Sequence, residues 1–165
     1  MIKSLRIDER LIHGQVAMTW AKTLHLNGLV VADDAAASNE IQKMTLKMAA
    51  PSDIHTIIKT VDGAIKLLQN PKAANMNLMV ITPTVKDAVK LAKAFPNEFE
   101  MVNVGNAGKM SHTDEKKHLI TKETLLTDEE IKYLHELVEL YPDTFFQGTP
   151  VMEKKMASAV LKDIN

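Results

Sequence analysis

Leu78-Met79-Val80-Ile81-Thr82-Pro83-Thr84-Val85-Lys86-Asp87-Ala88-Val89-Lys90-Leu91-Ala92 is the stretch that decides the fold. Its opening, Leu78 to Ile81, is an unbroken apolar run, which predicts a strand buried on both faces. Thr82-Pro83 ends the run, and Val85, Val89, Leu91 and Ala92 then recur at helical spacing. A buried strand followed at once by an amphipathic helix is the unit of a parallel sheet, because parallel neighbours need a crossover between them.

The same alternation extends in both directions. Residues 2–8 read as a first strand. Gly14 to about Leu24 reads as a helix with Val16, Ala17, Trp20 and Leu24 on one side, ended by Asn27-Gly28. A strand follows at 29–32. Asp33 or Asp34 is then the expected N-cap of one helix whose apolar side carries Ile41, Met44 and Met48, with Pro51 just beyond it. Ile54 to Ile58 is a short strand, followed by a helix through Ile65 and Leu68, and Phe99 to Val104 is another strand beyond the decisive stretch. From Gly105 to about Lys117 the apolar period vanishes, which predicts a loop, and Leu119 to Leu125 alternates like an edge strand. Thr127-Asp128-Glu129-Glu130 has the form of a capping box opening a helix through Ile131, Leu134 and Val138. Phe145-Phe146 is a last short strand. Pro150 is the expected start of a terminal helix with Val151, Met156, Ala159 and Val160 on its apolar side. The expectation is one domain over residues 1–165, an α/β fold: an open, mostly parallel twisted sheet with helices on both faces and an antiparallel edge strand.

Composition narrows the function. Lys and Arg number 20 against 21 Asp and Glu, giving a net charge of -1 with no block of like charges, which argues against a nucleic-acid partner. Cysteine is absent, so disulfides, thiolate metal sites and cysteine nucleophiles are excluded, and the interior of a cell is the natural compartment. Asp8 and Glu9 stand where a secretory signal would need an apolar run, and no apolar stretch approaches membrane-spanning length. These features predict a soluble protein, with no cofactor and no metal.

In open parallel sheets ligands gather outside the carboxyl ends of the strands, which directs attention to His13-Gly14, Asp33-Asp34, Thr82 to Thr84 and Asn103 to Gly108. Residues 6–16, Arg-Ile-Asp-Glu-Arg-Leu-Ile-His-Gly-Gln-Val, are the richest of these. A helix start offers unpaired amides and the positive end of the macrodipole, so Gly14, Gln15 and Val16 are candidate phosphate-binding residues. A neutral imidazole is nucleophilic, which makes His13 the candidate for covalent phosphoryl transfer. Arg10 can meet the added charge with a planar pair of donors. Gly14 would also let the backbone approach the phosphate and turn sharply. One imidazole nitrogen needs an orienting partner, for which Asp8 and a loop carbonyl are both candidates. Arg6, Asp8, Thr82 and Thr84 are weaker candidates for the site.

Residues 6–16 resemble the signature of the enzyme IIB component of the mannose/fructose/sorbose class of bacterial phosphoenolpyruvate-dependent sugar phosphotransferase systems. Weaker marks continue through Trp20, the acidic pair at 33–34, Asn103-Val104-Gly105 and the capping box at 127–130, so the resemblance spans most of the chain. It implies that His13 is a transient phosphohistidine, phosphorylated on Nδ1 with Arg10 beside it. It implies further that His13 receives phosphate from enzyme IIA and passes it to a sugar bound by the membrane IIC and IID components. It also implies a cytoplasmic protein peripherally associated with the permease, free-standing rather than fused to IIA. The sugar, the oligomeric state and the role of residues 141–165 are not legible.

Other readings compete. Gly105-Asn106-Ala107-Gly108-Lys109-Met110-Ser111 suggests a P-loop, but Asn103 and Met110 stand where that motif needs glycine and a hydroxyl residue, so a mobile glycine loop is expected. His112, Asp114, Glu115 and His118 lack metal-ligand spacing and read as a solvated loop. His25, His55 and His135 are assigned no chemistry. Asp33-Asp34 after a strand resembles the acidic site of a receiver domain, the principal chemical alternative, although capping is the plainer role. A regulatory binding module without sugar phosphotransfer is the alternative function. Trp20 is expected in the core rather than on a docking surface, whereas Leu11 and Ile12 are candidate contacts for enzyme IIA.

Overall fold

A computed structural model describes residues 1–164. In chain order the elements are β1 (Ser4–Ile7), α1 (Gly14–Leu24), β2 (Gly28–Ala32), α2 (Asp34–Ala37), α3 (Glu40–Ala49), β3 (His55–Lys59), α4 (Val61–Leu68), a 3-10 turn (Pro71–Asn75), β4 (Leu78–Thr82), α5 (Val85–Ala94), β5 (Val102–Val104), β6 (Lys117–Thr121), β7 (Thr124–Thr127), α6 (Asp128–Leu140), β8 (Phe145–Phe146), β9 (Lys155–Met156) and α7 (Ala157–Lys162). The main sheet runs β3-β2-β4-β1-β5-β8-β9, and every pairing is parallel except that of β9 with β8.

Alternation along the strands divides the core in two. Leu5, Ile7, Val30, Ala32, Leu78 and Val80 pack with residues of α4, α5, α6 and α7 on one face. Leu29, Val31, Met79 and Ile81 pack with Ala17, Trp20 and Ala21 of α1, Ala36 of α2 and Leu46 of α3 on the other. Because α1 leaves β1 toward one face and α5 leaves the neighbouring β4 toward the other, a crevice opens at the carboxyl ends of these two strands. The fold class expected from the alternating pattern is the one observed.

Several details differ. The helix expected from Asp33 through Met48 is two helices, because Asn39 restarts the chain as an N-cap, its side chain accepting from the Gln42 amide. That restart resets the helical phase, so α3 buries Leu46 and leaves Ile41, Met44 and Met48 on the surface, 80%, 65% and 81% exposed. Helix α1 ends on His25 in the left-handed conformation, and Gly28 already begins β2. Residues 119–125 do not edge the main sheet; they belong to a separate antiparallel hairpin of β6 and β7. The antiparallel edge of the main sheet is β9. Pro150 opens no helix: Val151 is exposed, and α7 begins at Ala157, burying Ala157 and Leu161.

Candidate active site

The turn from β1 to α1 is pinned at both ends. The Asp8 amide donates to the Thr82 carbonyl at 3.0 Å, the Glu9 amide to Asn106 at 2.8 Å, and the Leu11 amide back to Asp8 at 2.9 Å. Leu11 takes the left-handed conformation, φ 61, a strain of about 1 kcal/mol for a side chain with a Cβ. Burial holds it there: Leu11 and Ile12 are each 5% exposed, so they anchor the turn and are not free to contact a partner. The next residue, His13, is thrown outward and is exposed. It is the N-cap of α1 in extended conformation and makes no side-chain capping bond.

The first amide with a helical partner is Ala17, which donates to the His13 carbonyl at 3.0 Å. Gly14, Gln15 and Val16 therefore start the helix with their amides outside its ladder, beside the imidazole. The sharp turn expected of Gly14 is made instead by Leu11, since Gly14 does not have a positive φ. A Cβ at Gly14 would meet nothing within 4 Å, so no internal contact requires glycine and the space beside its backbone is open.

Behind this surface lies a buried charge cluster. The Asp8 carboxylate is 1% exposed and is gripped by Arg10, whose Nε donates to Oδ1 at 3.0 Å and Nη2 to Oδ2 at 2.8 Å. The Arg10 backbone amide adds a bond to Oδ1 at 3.1 Å, and Arg6 Nη2 donates to Oδ2 at 3.0 Å. A carboxylate offers about four lone-pair directions, so Asp8 is saturated and is not the partner that orients the imidazole. Arg6 is itself 2% exposed. Its guanidinium donates to Asn103 Oδ1 and to the carbonyls of Gln147 at 3.2 Å and Gly148 at 2.9 Å, and lies 5.6 Å from the Trp20 ring centroid. The parallel register that sets Arg6 opposite Asn103 puts both side chains on the α1 face of the sheet.

Burial works to raise the Asp8 pKa, but the Arg10 hydrogen bonds and the Arg6 charge outweigh it and hold the carboxyl below its ordinary range. Burial lowers the Arg6 pKa, opposed by Asp8. The hydrogen bond to Asp8 raises that of Arg10.

The remaining candidates serve structure. Thr82 is buried and its hydroxyl donates to the Ala32 carbonyl at 2.9 Å; Thr84 caps α5, its hydroxyl accepting from the Asp87 amide at 3.2 Å. Arg6 and Asp8 are too deep and too fully bonded to meet a ligand directly. Asp33 stands at the N-cap of α2 without a side-chain capping bond, while Asp34 accepts from the amide of Val61, the first residue of α4, at 2.9 Å, Thr60 being the cap of that helix. Trp20 is in the core at 3% exposure, and its Nε1 donates to the Gly148 carbonyl at 3.0 Å. The loop after β5 is tied down: the Glu9 carboxylate accepts from the amides of Lys109 and Met110 at 3.0 and 2.9 Å, and Lys117 Nζ donates to the carbonyl of Ser111 at 2.6 Å. His118 pairs with Asp128 at 2.8 Å, and among the described residues no group of His, Asp and Glu is placed to hold a metal ion.

Sequence reasoning missed the roles of four contributors. Glu9 carries no motif that distinguishes it from a surface carboxylate. Gln147 and Gly148 act through main-chain carbonyls, which every residue has. Gly105 alone left a signal, a glycine straight after a strand: a Cβ there would lie 2.3 Å from Arg6 Nη2 and 2.6 Å from Asp8 Oδ2.

An open parallel sheet with an exposed histidine at a helix start, three residues after an arginine in the same turn, belongs to the class of α/β proteins that handle anionic groups at a strand's carboxyl end. Residues 2–162 match the family model described as PTS system sorbose subfamily IIB component, and the chain belongs to that family. It is a IIB sugar phosphotransfer component of the mannose/sorbose class. It is 45% identical, over 91% of its length and 93% of the relative's, to a probable phosphotransferase enzyme IIB component of Streptococcus pyogenes. An N-acetylgalactosamine-specific phosphotransferase enzyme IIB component of Escherichia coli is 30% identical over 91% of this chain and 92% of its own. The crystal structure of the IIB domain of the sorbose permease from Klebsiella pneumoniae superposes with a TM-score of 0.89 over 100% of this chain and 98% of that one; at 20% identity it bears on the fold alone.

Proposed function

We propose that His13 is the residue that carries the phosphoryl group, taken from a phosphohistidine on an enzyme IIA and delivered to a sugar held by membrane IIC and IID components. The supporting observation is the exposed imidazole at the N-cap of α1, next to the free amides of Gly14, Gln15 and Val16 and in the same turn as Arg10. Family resemblance assigns the reacting atom as Nδ1. The lone pair of that nitrogen attacks phosphorus as the P–N bond to the donor imidazole breaks and its electron pair returns to the donor ring. In the second half-reaction a sugar hydroxyl oxygen attacks, its proton leaves to solvent or a base on the permease, and His13 recovers its lone pair. Charge spreads over the equatorial oxygens during both transfers, so fixed amides and a guanidinium supply the stabilisation. No helix among the described residues is long and apolar enough to cross a membrane. The proposal places the protein in the cytoplasm, visiting the permease from that side.

The test is incubation with phosphoenolpyruvate, enzyme I, the phosphocarrier HPr and a matching IIA, followed by peptide mapping. An acid-labile phosphate on His13, lost in His13→Ala, is the expected result. A chain that binds IIA yet never takes up phosphate would instead be a regulatory module.

A further inference from the structure

Arg6 and Asp8 cannot reach a phosphoryl group, yet the fold buries both charges at the end of β1, where burial is costly unless the pair is fully bonded. We infer that Arg6 and Asp8 are positioning residues for Arg10: Arg6 fixes Asp8, and Asp8 holds the Arg10 guanidinium with its Nη1–Nη2 edge free for the phosphoryl oxygens on His13. The inference rests on the proposed role of His13.

The geometry supports each link. Asp8 binds Arg10 along the Nε–Nη2 edge, which fixes the plane of the guanidinium and uses Nε–H and one hydrogen of Nη2. Among the described residues both Nη1 hydrogens and the second Nη2 hydrogen are left without a partner, which is a fork of the right shape for two phosphoryl oxygens. The side chain is ordered by folding and not during transfer.

Arg6 explains why this grip does not waste the charge. A lone Asp8–Arg10 pair would be neutral and would offer a dianion little attraction. With Arg6 on the same carboxylate oxygen, two guanidinium groups share one carboxylate, so these three side chains together keep a single positive charge, with the carboxylates of Glu9 and Glu123 facing Arg10 from outside the trio. Arg6 is in turn immobile, bonded to Asn103, Gln147 and Gly148 and stacked near Trp20. Gly105 leaves the room that this guanidinium and the Asp8 carboxylate occupy. The low pKa of Asp8 agrees, since it keeps the carboxylate charged across the physiological range.

The experiment is a double-mutant cycle on transfer from phosphorylated IIA, read by rapid quench. Asp8→Asn is expected to slow the transfer step by about 10²-fold, the scale of a misaimed catalytic group, while the KM for IIA stays within about twofold. Because Asp8 acts through Arg10, Asp8→Asn/Arg10→Ala should be no slower than Arg10→Ala alone. Effects that multiply, or a change confined to KM, would overturn the inference. A His13→Ala chain that still takes up acid-labile phosphate would overturn the functional reading first, and this inference with it. Should Asp8→Asn not fold, the wild-type protein decides by NMR. An Arg10 Nε–H that exchanges slowly with water, before and after phosphorylation, supports the grip; rapid exchange overturns it.

Discussion

Gly105 shows how much of this site is set by an atom that is missing. Gly105→Ala would drive its methyl into Arg6 and Asp8, and both are too constrained to retreat. The expected cost is about 3 kcal/mol, between overpacking and a broken buried ion pair, measurable as a lower urea midpoint. Asp8 gives a second expectation. Its folded pKa is depressed below 3.8, so its contribution to stability is present above that unfolded value and is lost as pH falls through the lower folded value. A titration of its side-chain carboxyl carbon should show no inflection between neutral pH and 3.8; a midpoint at or above 3.8 would contradict the bonding described here. At this scale the sequence offered His13 and Arg10 as candidates, because their chemistry is written in residue type, and the helix amides through the expected start of α1. It did not show that Arg6 and Asp8 are buried, because burial is decided by neighbours remote in the chain.

Elements were legible where local rules act alone. The capping box of α6 is formed as written: the Thr127 hydroxyl accepts from the Glu130 amide at 3.3 Å, and the Glu130 carboxylate accepts from the Thr127 amide at 3.1 Å. Thr127→Ala should cost about 1 kcal/mol, seen in equilibrium unfolding, with phosphoryl transfer unchanged since α6 lies on the face away from α1. The failures have a common cause. Ser38-Asn39 could be read either as helix interior or as a restart, and the periodicity of Ile41, Met44 and Met48 favoured the former while the Asn39 cap decided the latter. At the carboxyl end, Pro150 is a proper helix opener by preference, but β9 must first pair with β8, which delays α7 to Ala157.

For the molecule as a whole, the α/β class followed from the repeated strand-helix alternation, while the strand order did not, since parallel pairing is set by crossovers that bypass neighbours. One core runs from Leu5 to Leu161 on one face of the sheet, so the chain should unfold as a unit. Trp20, the single tryptophan, packs in the other core against Arg6, so its fluorescence reports on the site. Fluorescence and far-ultraviolet circular dichroism should show one coincident transition. Leu161→Ala, remote from Trp20 in sequence, should shift both equally by about 2–5 kcal/mol, and separated transitions would show two folding units.

Arg6 and the carbonyls of Gln147 and Gly148 stand 141 and 142 residues apart. During synthesis the guanidinium leaves the ribosome 141 residues ahead of the first of these acceptors, so a nascent chain holds Arg6 without these two partners until both have emerged. Ribosome-stalled chains ending before Gln147 should therefore take phosphate from IIA more slowly than chains that extend past Gly148.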